Sequence, residues 1–91
     1  MAIVVRHTPT GLTAAQYGEA LRRLEEAGLG NPPERIFHVC FGEPDNLVVS
    51  DLWESREAFD RFAEILVPIL TDIGVTEGGL SFLDVHNTIS G

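Results

Sequence analysis

Between Leu47 and Ile73 the sequence LVVSDLWESREAFDRFAEILVPILTDI changes its hydrophobic period once. Up to Trp53 it is a β-branched run of strand type. From Phe59 onward the apolar positions Phe59, Phe62, Ala63, Leu66, Leu70 and Ile73 follow the 3.6-residue period of a helix. Ser55 stands at the changeover as an N-cap, with Glu57 placing negative charge in the first turn. Pro68 removes a backbone donor from that helix, which predicts a kink or two shorter helices. A strand that passes directly into an amphipathic helix needs further strands beside it and a layer to cover, and the remainder of the chain supplies both.

Ala2 to His7 reads as a first strand, followed by a TPTG turn. Thr13 opens a first helix, and Gln16 completes a capping box. Tyr17, Ala20, Leu21, Leu24 and Ala27 form its apolar stripe, and Gly28 and Gly30 end it. Ile36 to Phe41 is a second strand, and GEPDN supplies the turn that returns the chain through Leu47–Trp53. GVTEGG reads as a flexible link to a last strand over Leu80–Asn87. The order β-α-β-β-α-β predicts an α+β, ferredoxin-like domain spanning residues 1–91, with a four-stranded antiparallel sheet and two helices on one face.

Charge and composition narrow the partners. The net charge is −8, with 14 acidic residues against 6 arginines and no lysine. Such a surface is the wrong sign for nucleic acid or for an anionic membrane. Cys40 is the single cysteine, no apolar run approaches a membrane span, and AIVV is too short for a signal-peptide core. Those features predict a soluble cytoplasmic protein.

Side chains alternate along strands, so the central hairpin has two distinct faces. Phe37, Val39, Phe41, Val48, Ser50 and Leu52 share one; Ile36, His38, Cys40, Leu47, Val49, Asp51 and Trp53 share the other. The first set is the more uniformly apolar and is expected beneath the helices. The second, mixed set is then expected against a second copy of the sheet, since two-fold dimers are the commonest oligomers. An apolar space containing a few polar groups would result, which is what a small-molecule pocket requires.

Five residues are the candidates for that site. His38 lies mid-strand, and imidazoles exchange protons near neutral pH; the alternative is a hydrogen-bonded core histidine. Asp51 could serve as an acid or base, or form an ion pair with Arg6. Trp53 could stack on an aromatic ligand or anchor the dimer core. Tyr17 could direct its hydroxyl inward or simply pack, and His86 could approach from the last strand or lie at its exposed rim. His7, His38, His86, Asp51 and Asp84 show no local metal-ligand spacing, so no metal is predicted. Cys40 sits among apolar neighbours, where thiols are inert.

VVSDLWESREAFDRF with its Pro-containing helix end, the histidine in IFHVCF and the terminal VHN resemble the small dimeric α/β-barrel proteins. That superfamily includes cofactor-free quinone-forming monooxygenases of antibiotic biosynthesis, haem-degrading monooxygenases and muconolactone isomerases. The resemblance implies a homodimer with a pocket between each sheet and its own helices, or reaching into the barrel, for an apolar or aromatic ligand. No cofactor is expected, because the helix Ser55–Ile73 holds no histidine to ligate a haem as the haem-degrading members do. An oxygenase or isomerase acting on an aromatic or polyketide-like substrate is one expectation, and a non-catalytic dimeric binding module is the other.

Overall fold

A computed structural model describes residues 1–91, apart from the side chains of Thr76 and Glu77. The elements run β1 (Ile3–Thr10), α1 (Ala14–Glu26), β2 (Arg35–Glu43), β3 (Asn46–Trp53), α2 (Arg56–Asp72) and β4 (Thr76–Asp84). The strands form one antiparallel sheet in the order β2-β3-β1-β4. This is the predicted ferredoxin-like plan. No helix among the described residues is long and apolar enough to cross a membrane.

Both helices start where their caps dictate. Thr13 accepts from the Gln16 amide at 3.1 Å, while the Gln16 side chain accepts from the Thr13 amide at 3.0 Å, so the capping box is complete. Ser55 accepts from the Ala58 amide at 3.1 Å. Pro68 does not divide the second helix, which continues unbroken to Asp72. Pro44 and Asp45 make a tight turn between β2 and β3, and the loop before α1 bonds to this hairpin through Leu47 N–H to Leu12 O.

The last strand begins earlier than the sequence suggests. GVTEGG is not a separate link, because β4 is already paired with β1 through Gly79↔Thr8 and Leu80↔His7. Gly78 permits this approach: a Cβ there would lie 2.0 Å from the Thr8 carbonyl oxygen. The strand accordingly ends at Asp84, leaving His86 and Asn87 in an exposed tail.

The helices cover the mixed face of the sheet, contrary to expectation. Trp53 is wholly inaccessible and packs against Phe59 and Phe62, with ring centroids 5.8 and 5.0 Å away. Ile3, Val5, Leu24 and Ala58 complete this core. The Phe-bearing set instead faces outward, with Phe37 61%, Phe41 42% and Leu83 53% exposed. The physical reason is local: Trp53 packs beneath Phe59 and Phe62, and the polar members His38 and Asp51 bond to one another.

Strand alternation also fails at one point. Arg35 pairs with Trp53 while Phe37 pairs with Leu52, so Ile36 is an extra residue in β2. Ile36 is 55% exposed rather than inward with His38. A bulge of this kind shifts the facing of every residue on one side of it.

Candidate active site

The inner face of the sheet and the two helices enclose a cavity of about 190 Å³. Leu21 and Leu24 of α1, Leu66, Val67 and Leu70 of α2, and Val5 and Val49 of the sheet make most of its wall apolar. Its size is on the order of the ~150 Å³ cavity that admits a benzene ring. At least one aromatic ring therefore fits.

Three polar side chains converge on the wall. His38 lies opposite Asp51 in the β2–β3 register, so both imidazole and carboxylate rise from the same side of neighbouring strands. Nδ1 of His38 bonds directly to Oδ1 of Asp51. Nε2 bonds to the Tyr17 hydroxyl of α1 at 2.6 Å, with the two rings parallel within 2°. A carboxylate can only accept, so Nδ1 carries the hydrogen, and in the neutral imidazole Nε2 accepts from the Tyr17 O–H. The imidazole is thereby held in one tautomer and one orientation.

Burial is graded along this chain. Asp51 is 8% exposed, whereas Tyr17, on α1, is half-buried. Burial raises the Tyr17 pKa above its ordinary 10.0, helped by the Cys40 thiol beside it, and Arg35 opposes the rise. Burial likewise raises the Cys40 thiol pKa, although its bond to Tyr17 opposes that shift. Tyr17 is thus kept as a neutral phenol that can pass a proton on rather than as a standing phenolate.

Of the five candidates, the structure brings Tyr17, His38 and Asp51 together. Arg6 lies on the outer face, so the partner of Asp51 is His38 rather than an arginine. Trp53 is part of the core, away from this cavity, and its Nε1 has no hydrogen-bond partner. It borders instead a smaller cavity with Leu29 and Pro32. His86 is exposed beyond β4 and lines neither cavity. Two ionisable wall residues, His7 and Arg35, lie outside those five candidates. His7 was readable from its two-residue spacing after Ile3 and Val5; Arg35 was not, because only the bulge turns it inward.

No family model and no curated protein matches the sequence. Solved structures do match the fold. A Deinococcus radiodurans protein assigned as an antibiotic biosynthesis monooxygenase superposes with a TM-score of 0.64 at 13% identity, covering 99% of this chain and 97% of that one. SnoaB, a cofactor-independent oxygenase from Streptomyces nogalater, gives 0.62 at 21% identity, over 99% and 96%. MhuD, a heme degrader from Mycobacterium tuberculosis with two hemes bound in its active site, gives 0.53 at 18% identity, over 99% and 100%. These likenesses show the fold: this chain has the ferredoxin-like βαββαβ architecture of those structures.

Proposed function

We propose that the protein is a homodimeric, small-molecule-binding oxygenase that needs no cofactor and oxidises a phenolic or enolic aromatic substrate. The observation that carries this reading is the Tyr17–His38–Asp51 chain on the wall of a largely apolar, ring-sized cavity that His7 and Arg35 also line. A substrate hydroxyl or activated C–H gives its proton to Tyr17 Oη as the tyrosine proton passes to His38 Nε2. Asp51 then faces the resulting imidazolium, so positive charge is balanced where it forms. The substrate anion left in the cavity is electron-rich enough to reduce dioxygen. Addition of O2 at carbon and loss of water give the quinone, so that one phenol and one O2 become one quinone and one water. The likeness in fold to SnoaB, a cofactor-independent oxygenase, supports this chemistry.

The dimer is proposed through the outer sheet face, where Phe37, Val39, Phe41 and Leu83 are exposed together. An apolar surface of that extent is the mark of a partner interface. A second copy stacked sheet to sheet covers it and leaves the cavity on the far side open.

Oxygen uptake tests the activity. Hydroxynaphthalenes and anthrones should consume one O2 per molecule converted, and His38→Ala should lower the rate by roughly 10²–10⁴. Substrate conversion without oxygen uptake would make the same proton relay an isomerase. Tight binding with neither outcome would make the protein a binding module.

A further inference from the structure

We infer that Arg35 is an anion-binding subsite of the cavity, and that the substrate is an aromatic compound bearing a carboxylate or an acidic phenol beside its reacting hydroxyl. This rests on the cavity being the substrate site. The Ile36 bulge is the first observation. In an unbulged β2 the residue two before Phe37 would point outward with it, and Ile36 would line the interior with His38. The extra residue reverses that, placing Ile36 in solvent and Arg35 on the cavity wall with Tyr17, His38 and Asp51. Bulges beside active sites commonly serve to re-aim one side chain.

The second observation is what Arg35 lacks. Arg22, Arg23, Arg56 and Arg61 each pair with a carboxylate. Arg35 pairs with none among the described residues, although the chain carries 14 acidic side chains. Asp51, the carboxylate that shares its cavity, is turned to His38 instead. The guanidinium has five N–H donors. One donates to the Gly30 carbonyl at 3.3 Å, and the guanidinium carbon lies over the Phe62 ring, 5.8 Å from its centroid. The head group is therefore tethered at one side with most of its donors unspent. A planar, permanently charged fork of this kind matches an oxyanion. It also stabilises the phenolate that proton transfer to Tyr17 would create.

Hydroxynaphthoate and naphthol are matched probes for this subsite, read by fluorescence titration. The unaltered protein should bind hydroxynaphthoate roughly tenfold or more tightly than naphthol, against the repulsion of its own net charge of −8. Arg35→Gln should erase or reverse that preference while changing naphthol affinity less than about twofold, and Arg35→Lys should keep part of it. If Arg35→Gln binds both probes as the parent does, Arg35 is no subsite but the cavity reading stands. An equal loss of both probes with a lowered melting temperature makes Arg35 a support for the Gly30 loop and overturns the inference. Binding of neither probe by the parent removes the cavity reading, and the inference with it. Should Arg35→Gln fail to fold, the parent's own preference decides: no preference for the anion sinks the proposal.

Discussion

The two faces of the sheet are built from the same alternation of residues yet differ in what they require. The inner face buries Trp53, Ile3 and Val5 under both helices and pairs its polar members, His38 with Asp51, within the protomer. The outer face is as apolar in composition, with Phe37, Val39, Phe41 and Leu83, but nothing within the protomer covers it. Hydrophobicity alone therefore cannot tell a core from an interface. The distinguishing feature is the charged residues: on the face the protomer itself encloses, the buried Asp51 carboxylate finds its partner in His38, whereas the Trp53 Nε1–H, a weaker demand, goes without one.

The largest effect expected from breaking this contrast is on the inner face. Trp53→Ala removes the one wholly inaccessible large side chain and should cost about 3–5 kcal/mol. That is a large share of the roughly 5–15 kcal/mol a domain has, so urea denaturation should show a greatly lowered midpoint or an unfolded protein. A loss under about 1 kcal/mol would mean that the core lies elsewhere. Because the Trp53 Nε1–H is buried without a partner, Trp53→Phe should recover most of the stability: it keeps an aromatic ring and deletes a donor whose burial costs about 1–3 kcal/mol.

The outer face should respond in the opposite way. Phe37→Asp introduces a charge at a position 61% exposed in the protomer, so the monomer fold should survive with little change in its circular dichroism. Self-association should weaken by at least about 2 kcal/mol, roughly thirtyfold. Sedimentation velocity across a concentration series reads this directly. A dimer unaffected by Phe37→Asp would place the interface on another surface.

Much of this architecture is legible in the sequence, and the failures have physical causes. The caps at Thr13 and Ser55 work because their bonds are local, within three residues of the capping side chain. The helical stripes at Leu24 and Phe59–Phe62 are legible because burial on a helix is periodic. The facing of the sheet is not legible because both faces are apolar, and here the more uniformly apolar set marks the uncovered side rather than the core. Tyr17, His38 and Asp51 were each visible, but their convergence depends on register between β2 and β3 and on how α1 lies across them. Arg35 is hidden by a one-residue bulge, and the end of β4 before His86 is not legible because the pairing of Gly79 with Thr8, which fixes the strand's register, is a long-range contact.

The smallest effect lies on the inner face, at the point where core and cavity meet. Tyr17 is the only tyrosine, so near-ultraviolet absorbance of tyrosinate reports it alone. Burial raises its pKa above 10.0 in the folded protein. A raised acid pKa means the folded state favours the neutral phenol. The associated stability is fully present below the unfolded value and is lost as pH rises through the folded one. The folded protein should therefore show its tyrosinate transition above pH 10.0, and denaturant should move it down to the ordinary value. His38→Ala would leave burial largely in place but take away the acceptor of the phenol proton, so the transition should stay above the unfolded value while proton relay is lost. A folded-state transition at or below the ordinary value would show Tyr17 standing in solvent, and the hydroxyl could then exchange its proton with water without His38.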